Sequence, residues 1–352
     1  MKCGKFFILI LFAAFLLYSC KKSDGELYTS TQTSSRNERV KVGLALGYGG
    51  MGDMSFNDMQ YAGLIRASKK YDIDIAYAIP KEEKVEDIKI KLSELIYNEK
   101  CSLIFMASYI ALEILPEIAP IHPDIHFVIL DNPLNGIDNV SSVEFAQNEG
   151  SFVVGYLAAR FSKSLTIGFI GGTNEPVILD FLKGFEEGVG YADRTKKIDA
   201  RFASLMPDFS GYHNPKLGYE IATEMYKSSV DVIYNVASLT GGGIIQAAVD
   251  NGAYVIGVDS DQDGIAKGSV LTSMMKRLDN CVVDLVGYYL DGTIKGNFIY
   301  RYDYRNNGVG ITDMIWTKDV IGEKIISDTK EIEKKIARGE IVVTDSLKKE
   351  SK

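Results

Sequence analysis

The segment between Gly47 and Asp58 carries the side chains best suited to bind a small polar molecule. It reads Gly-Tyr-Gly-Gly-Met-Gly-Asp-Met-Ser-Phe-Asn-Asp, so glycines are followed by two carboxylates, a hydroxyl, an aromatic ring and an amide. Glycines let the backbone come close to a bound group. A ring beside several hydrogen-bonding groups suits a flat, neutral, polar ligand. The candidate contacts in this segment are Asp53, Phe56 and Asn57.

The same segment has two other interpretations. Gly47, Gly49 and Gly52 match the GxGxxG pattern of dinucleotide-binding proteins. In that pattern the helix begins inside the glycines and an acidic residue ends the second strand. Here the helical periodicity begins after the glycines, near Ser55, and Asp72 precedes the second strand, which disfavours a dinucleotide. A plain strand-to-helix turn with Ser55 as the N-cap fits the segment about as well as a ligand site does.

Apolar runs and helical periodicity alternate along the chain and predict an α/β protein with parallel sheets. The rhythm runs from Val40 to Phe145 and then starts again at Glu149, which predicts two doubly wound lobes. The predicted strands are Val40–Leu46, Ile73–Ile79, Ser102–Ala107, Ile125–Leu130, Val140–Phe145, Leu165–Ile170, Ile198–Leu205, Val230–Tyr234, Tyr254–Val258, Val270–Met274 and Asn297–Tyr304.

The last part of the chain should add pieces to both lobes and so create a hinge. We expect residues 40–146 and about 275–302 in the N-terminal lobe, and residues 147–274 and about 303–340 in the C-terminal lobe. One long polar helix is predicted at Thr317–Arg338. The polar residues 341–352 are expected to fray.

Ligands of doubly wound sheets bind beyond the carboxyl ends of the strands. The residues there are rich in Asp, Asn, Ser, Phe and Tyr, with a single Lys, which disfavours a phosphate-bearing ligand. A carboxylate accepts two sugar hydroxyls at once, and a purine or sugar face stacks on a ring. Each Asp could instead be a turn former. The segments concerned are Ser108-Tyr109, Asp131-Asn132, Pro207–Gly211, Asn235–Gly243, Asp259–Asp263 and Met275-Lys276.

Metal, cofactor and catalytic sites are not expected. Asp259, Asp261 and Asp263 resemble a calcium loop, but the required Gly and Glu fall at the wrong places. His122 and His126 are separated by a proline, which argues against one helix face carrying both. The sequence has no GxSxG elbow, P-loop or HExxH motif. A pair of carboxylates could still hydrolyse a glycosidic bond, so a nucleoside hydrolase stays open.

The amino terminus predicts export and lipidation. Residues 1–19 join two lysines to the apolar run Phe6–Tyr18, as in a signal peptide, and Leu17-Tyr-Ser-Cys20 resembles a lipobox. Cys20 is the predicted lipidation site, and residues 20–39 form a polar tether. We therefore expect a lipoprotein anchored in the bacterial cell envelope, outside the cytoplasm, by its lipid alone.

Charge and cysteine content narrow the function further. The 352 residues carry a formal net charge of −8, whereas nucleic-acid-binding proteins usually carry an excess of basic residues, so nucleic-acid binding is not expected. Cys101 and Cys281 each adjoin an apolar run, so two buried free thiols are expected, although a disulfide is possible outside the cytoplasm.

Three features together resemble the basic membrane protein family of bacterial lipoproteins, which includes the purine nucleoside receptors of spirochaetes. They are the lipobox, the segment Gly52-Asp-Met-Ser-Phe-Asn57 and the segment Val258-Asp-Ser-Asp-Gln262. The similarity runs from about Val40 to about Arg338. It implies a type I periplasmic-binding fold with three hinge crossings and a ligand cleft. It also implies a monomeric, non-enzymatic receptor that delivers a purine nucleoside to the permease of an ABC importer.

The resemblance also implies roles for individual residues. Phe56 should stack on the purine, with Phe209 on the opposite face. Asn57 and Asp131 should bind the base, and Asp259 should hold the ribose hydroxyls. The remaining implied contacts are Asp53, Ser108, Gly242 and Lys276. A simple-sugar receptor of the same fold, a nucleoside hydrolase and a surface adhesin are the alternatives.

Overall fold

The structure, a computed structural model, describes residues 39–82, 84–107 and 109–348. The predicted signal peptide, the lipidation site Cys20, all of the tether but its last residue and the candidate contact Ser108 lie outside these ranges. Among the described residues, none of the helices is long and apolar enough to cross a bilayer.

Twelve strands and ten α-helices make up the described part of the chain. The strands are β1 Lys41–Ala45, β2 Asp74–Ala78, β3 Leu103–Met106, β4 His126–Leu130, β5 Val140–Phe145, β6 Thr166–Gly171, β7 Lys197–Phe202, β8 Val232–Val236, β9 Tyr254–Asp259, β10 Val270–Lys276, β11 Phe298–Tyr302 and β12 Val309–Ile311. The helices are α1 Phe56–Lys70, α2 Val85–Ser93, α3 Ala111–Ile118, α4 Gln147–Phe161, α5 Pro176–Ala192, α6 Pro215–Lys227, α7 Gly241–Asp250, α8 Leu278–Leu290, α9 Lys318–Ile321 and α10 Glu323–Ala337.

The strands form two six-stranded sheets, one for each lobe. The first has the order β11-β5-β4-β3-β1-β2 and is parallel throughout. The second has the order β12-β10-β9-β8-β6-β7 and is parallel except for its edge strand β12. The chain passes between the sheets three times, after β5, after β10 and after β11. Two doubly wound α/β lobes are therefore confirmed.

Burial explains why the apolar runs become strands. Every residue of β3 is buried, as expected for a central strand of a parallel sheet covered on both faces. Its side chains alternate between two core clusters: Leu103 and Phe105 belong to one, and Ile104 and Met106 belong to the other. Helix α10 buries a single stripe that includes Ile332 and Ile336, which are four residues apart. Helix α4, in contrast, is buried on nearly every side.

The close crossing of α4 and α5 fixes one wall of the cleft between the lobes. A Cβ on Gly184 would lie 2.1 Å from the carbonyl oxygen of Asn148, so only glycine permits this approach. The start of α5 carries Glu175 at the N-cap, and Phe181 follows six residues later. Both side chains line the cavity described below.

Several predicted element bounds were wrong for identifiable reasons. The long helix Thr317–Arg338 is two helices, because Gly322 between them has φ +85°. Helix α2 is continued by a π-helical turn, Glu94–Asn98. Gly241–Gly243, the end of one segment expected beyond a strand, forms the first turn of α7. The short edge strand β12 was missed, and Lys276 belongs to β10 instead of following it.

Residues 341–348, predicted to be frayed, are instead ordered against α4 and α5. Val343 is buried in a cluster with residues of α4 and α10. The amide of Asn148 donates to the carbonyl oxygen of Thr344 over 2.9 Å. The backbone N–H and the hydroxyl of Ser346 donate to Asp180 over 2.8 and 2.7 Å. We call residues 341–348 the C-terminal strap.

Removing the strap should lower the stability of the protein. A chain ending at Glu340 loses the burial of Val343, worth about 1.5–3 kcal/mol, and leaves the buried Asp180 without the donors of Ser346. We expect its free energy of unfolding in urea to fall by roughly 2–4 kcal/mol. Val342→Ala is the matched control, since Val342 is 86% exposed. Equal urea midpoints for the truncated and full chains would contradict a stabilising strap.

Candidate ligand-binding cleft

A cavity of about 850 Å³, including its opening to solvent, lies where the carboxyl ends of the two sheets face each other. Small-molecule sites typically measure about 300–1,000 Å³. Six aromatic side chains line it: Tyr48, Phe56, Tyr109, Phe181, Phe209 and Tyr212. Its polar and charged lining residues are Asn57, Asp131, Asn132, Glu175, Ser238, Asp259 and Lys276.

Asp53 organises the start of α1. Its carboxylate accepts hydrogen bonds from the backbone N–H groups of Ser55, Asn57 and Asp58, over 2.9, 2.9 and 3.1 Å. It thereby satisfies donors that the first turn of a helix leaves without partners. Ser55 occupies the N-cap position, but its hydroxyl makes no capping hydrogen bond, so the predicted side-chain cap was wrong. The cap is supplied two residues earlier, by Asp53.

One glycine of the opening loop, Gly49, makes room for the opposite lobe. Gly49 has φ +114°, and a Cβ at this position would lie 2.2 Å from the ring of His213. The carboxylate of Asp58 fixes the loop by accepting hydrogen bonds from the backbone N–H groups of Gly52 and Met54. Gly49 therefore permits close contact between the lobes.

Two carboxylates sit at strand ends in a backbone conformation that is uncommon for residues other than glycine. Asp131 follows β4 with φ +68°, and Asp259 ends β9 with φ +65°. Met54 and Ser238, which also border the cleft, have φ +48° and +49°. Such conformations concentrate at functional sites, because they aim side chains that regular strands would not.

A buried ion pair joins the two lobes beneath the cavity. The Nζ atom of Lys276, on β10, lies 2.6 Å from Oδ2 of Asp131, and the two side chains are 1% and 8% exposed. The rings of Phe56, Phe145 and Phe181 surround the ammonium group, with centroids 5.6, 5.3 and 5.2 Å from Nζ. These aromatic faces add cation–π attraction in a desolvated place.

Asp259 is the second buried carboxylate of the cavity. The hydroxyl of Ser55, from the other lobe, donates to its Oδ2 over 2.6 Å. Burial raises the pKa of Asp259 to about 6, and the positive charge of Lys276 and the hydrogen bond from Ser55 oppose that rise. Burial likewise raises the pKa of Asp53. The site thus holds more carboxylates than cations, so it favours ligands that donate hydrogen bonds.

Further contacts cross the cleft at its rim. The hydroxyl of Ser238 donates to Asp53 over 2.9 Å, and the amide of Gln262 donates to the carbonyl oxygen of Met54 over 2.9 Å. The rings of Tyr48 and His213 meet edge to face, with centroids 4.3 Å apart. Tyr109 and Phe209 form a second ring contact at 6.2 Å. The two lobes are therefore closed on each other.

The sequence is similar to a known protein family and to several of its members. Residues 40–346 match the model of the family described as ABC transporter substrate-binding protein PnrA-like. The chain belongs to this family. Basic membrane protein A1 of Borrelia garinii is 28% identical over 97% of this chain and 96% of its own. An uncharacterized lipoprotein of Pyrococcus abyssi is 30% identical over 81% and 72% of the two chains.

A solved structure agrees on the fold. The ABC transporter solute-binding protein of Aeropyrum pernix has a TM-score of 0.75 and 24% identity, over 87% of this chain and 94% of its own. The fold is that of type I periplasmic binding proteins. Membership of the family makes the chain a substrate-binding protein of an ABC transporter, with a small-molecule ligand and a transporter partner, and not an enzyme.

The structure brings six of the nine residues implied by the family resemblance to the cavity: Phe56, Asn57, Asp131, Phe209, Asp259 and Lys276. Asp53 lies beneath the loop, where its carboxylate caps α1 and accepts from Ser238, and it does not line the cavity. Gly242 is exposed in the first turn of α7 and does not line the cavity. Ser108 lies outside the described residues.

Other lining residues were not predicted as contacts. Tyr48, Tyr109 and Ser238 lie within loops that the strand-end rule had already indicated. Glu175, Val177, Ile178 and Phe181 come from the start of α5, which carries no motif. A more general use of the same rule, extended to the first turns of the following helix, would have included them.

The metal and dinucleotide interpretations gain no support. In the part of the chain that the structure describes, no three His, Cys, Asp or Glu side chains are grouped to hold a metal ion. Asp263 accepts a hydrogen bond from Ser273, and Asp261 accepts one from the backbone of Asp263. Helix α1 begins at Phe56, after the glycines. Cys101 and Cys281 are buried free thiols.

Removal of the buried lysine should be costly. Lys276→Met leaves Asp131 buried without its cation, and we expect the free energy of unfolding to fall by about 3–5 kcal/mol. Adding Asp131→Asn should restore much of this loss, because Asn tolerates positive φ and removes the charge. Urea unfolding measures both. Lys324→Met is the control, since Lys324 pairs with Asp328 at the surface and should cost at most about 1 kcal/mol. Equal effects of the two lysine substitutions would contradict the argument.

Proposed function

We propose that this protein is a lipid-anchored receptor for purine nucleosides that closes on its ligand and delivers it to an ABC importer. The observation that carries the proposal is the chemistry of the cavity. An aromatic ring from each lobe, Phe56 and Phe209, lines the same space as the buried carboxylate Asp259. Flat faces between two rings suit a purine, and a carboxylate suits the paired hydroxyls of ribose.

Hydrogen bonding to the base is assigned to Asn57 and Asp131. The side-chain oxygen of Asn57 is held by the backbone N–H of Gly47 over 3.1 Å, which fixes the amide in one orientation. Oδ1 of Asp131 is buried and accepts no hydrogen bond among the described residues. A buried acceptor without a donor is unfavourable, so an N–H group of a purine would complete it.

Recognition of ribose is assigned to Asp259, with Lys276 beside it. Ser55 occupies one oxygen of Asp259, and a ribose hydroxyl would add a second donor to the same carboxylate. The excess of carboxylates over cations repels phosphate, so nucleosides and not nucleotides are the proposed ligands. The hydroxyls of a free sugar could donate to Asp259, but the space between Phe56 and Phe209, where the base is proposed to stack, would then stay without a ligand group.

Transport and anchoring complete the proposal. We infer that the signal peptide, residues 1–19, is removed and that Cys20 carries the lipid, which keeps the protein outside the cytoplasm at the membrane. Residues 20–39 would give the receptor reach toward the permease. The protein would act as a monomer, with lobe closure as the signal that a ligand is bound.

Identification of the co-purified ligand tests the proposal most directly. The purified protein is denatured and the released molecules are identified by mass spectrometry. One purine nucleoside per chain is the expected result. A sugar in its place would overturn the assignment. Protein that releases nothing is titrated by calorimetry with adenosine, guanosine, inosine, free ribose and the corresponding 5′-monophosphates, where preference for ribose or a monophosphate would be contrary to the proposal.

Loss of the stacking ring should weaken binding. Phe56→Ala removes one face of the base stack, which is worth about 1–3 kcal/mol, so we expect the Kd for the preferred nucleoside to rise about 10- to 100-fold. Phe298→Ala is the matched control, because Phe298 is 40% exposed on the edge strand β11 and does not line the cavity. Calorimetry compares them. An unchanged Kd for Phe56→Ala would exclude stacking on this ring.

Binding should weaken in acid. The pKa of Asp259 is raised to about 6, and ribose hydroxyls donate to its charged form, so protonation below that pH opposes binding. With only the ionised form competent, affinity at pH 5 should be about tenfold lower than at pH 7. Asp259→Asn should bind more weakly at pH 7 and show little change between pH 5 and 7. A wild-type affinity independent of pH in this range would disprove the role of the carboxylate.

A further inference from the structure

The cavity contains a carboxylate–phenol pair, Glu175 and Tyr212. Glu175 precedes α5, lines the cavity and is 8% exposed. The hydroxyl of Tyr212 donates a hydrogen bond to Oε1 of Glu175. Burial and the neighbouring negative charge of Glu175 raise the pKa of Tyr212 well above its usual range, so the phenol stays protonated and remains a donor.

The ring of Tyr212 is held in one position by the backbone beneath it. A Cβ on Gly172 would lie 2.2 Å from Cδ1 and Cε1 of this ring, so the ring rests directly on the turn that follows β6. Tyr212 ends the short 3₁₀ turn Ser210–Tyr212, which directly follows Phe209. Fixing Tyr212 therefore fixes the backbone that presents Phe209.

The segment around these rings, residues 203–213, is here called the aromatic loop. Its backbone is fastened to the same turn at three further points. Ser204 N–H donates to the carbonyl oxygen of Gly172 over 3.0 Å, and Met206 N–H donates to Oδ1 of Asn174 over 2.7 Å. The backbone N–H of Ala203 donates to the carbonyl oxygen of Gly171 over 2.9 Å. These three bonds hold the first half of the loop. The second half is held by the bond from Tyr212 to Glu175 and by Ser204, whose hydroxyl donates to the carbonyl oxygen of Asp208 over 2.6 Å and accepts from the backbone N–H of Gly211 over 3.1 Å.

The second half of the loop carries both ring contacts that cross the cleft. Phe209 lies against Tyr109, and His213 lies against Tyr48. Tyr212 lies between Phe209 and His213 in the chain, so its bond to Glu175 restrains the backbone that presents both rings.

We propose that Glu175 is a positioning residue for ligand capture: through Tyr212 it holds the aromatic loop where Phe209 covers the ligand and His213 meets the other lobe. The proposal deepens the proposed function, since its effect on binding rests on a ligand that stacks on Phe209. The role requires an acceptor at this site and not a negative charge. Glu175→Gln therefore keeps the function, whereas Glu175→Ala and Tyr212→Phe lose it.

The first test needs no ligand. Amide hydrogen exchange is measured on the purified full chain for residues 209–213, in the wild type and in each variant. Tyr212→Phe and Glu175→Ala should exchange at least about threefold faster there, and Glu175→Gln should match the wild type. Tyr219→Phe is the matched control, because Tyr219 also donates to a carboxylate of this lobe, Asp250 over 3.1 Å, but lies away from the cavity. Unchanged exchange in both disruptive variants would overturn the positioning role.

The second test measures capture. Dissociation of the preferred purine nucleoside, followed by stopped flow, should become about tenfold faster in Tyr212→Phe and Glu175→Ala, the size expected for one lost hydrogen bond to a charged group. Glu175→Gln should stay within about threefold. Loss of a buried hydrogen bond also lowers stability, so all variants are measured well below their Tm values. Faster dissociation with an equal loss in Glu175→Gln would make the role merely structural. If the wild type binds no nucleoside, the proposed function fails, and the exchange experiment still decides the positioning role.

Discussion

The ion pair between Lys276 and Asp131 is the constraint on which the rest of the cleft depends. Burying two charges costs several kcal/mol of solvation, which their attraction offsets only in good geometry. Here the contact is 2.6 Å, and three aromatic rings enclose the cation. Lys276 ends β10, the strand after which the chain crosses to the other lobe, and Asp131 belongs to that lobe. The pair therefore holds the two sheets in one relative position at the floor of the cavity.

The same pair determines which ligands the cavity can accept. Since Lys276 is already satisfied by Asp131, it offers little positive charge to an anion. Asp259 and Glu175 then leave the cavity with a surplus of acceptors. A ligand gains most there if it is uncharged and rich in N–H and O–H groups, with flat faces for the rings.

The sequence predicted those cavity residues whose position follows from neighbouring residues in the chain. It did not predict contacts between residues that are far apart in the chain. Asp131, Asp259 and Lys276 were predicted as contacts because parallel strands bring their carboxyl ends to one edge. Glu175 was missed because it lies at the N-cap of α5, just beyond the strand-end residues that were considered. Its bond to Tyr212, 37 residues away, has no pattern in the sequence. Ser55 was predicted to cap α1, but Asp53 does so, also because of a distant contact. The hydroxyl of Ser55 instead donates a hydrogen bond to Asp259 of the opposite lobe.

The C-terminal strap shows that amino-acid composition alone does not predict whether a segment is ordered. Residues 341–348 are mostly polar, which predicted fraying, yet a single buried valine, Val343, and the acceptor Asp180 are enough to order them. Composition averages over a segment, whereas order can depend on one apolar side chain and two or three well-placed donors. Tertiary partners, which a linear pattern cannot supply, decided this case.

The contacts that cross the cleft also bear on how tightly a ligand can bind. Ser238 bonds Asp53 and Gln262 bonds the backbone of Met54 without any ligand atom taking part. These bonds exist only when the lobes are closed, so they lower the free energy of the closed state by themselves. A ligand then contributes less to closure, and more of its contact energy remains as affinity. A transporter that distinguishes loaded from empty receptors must therefore rely on contacts that only the ligand completes, and the proposed stacking on Phe56 and Phe209 would provide them.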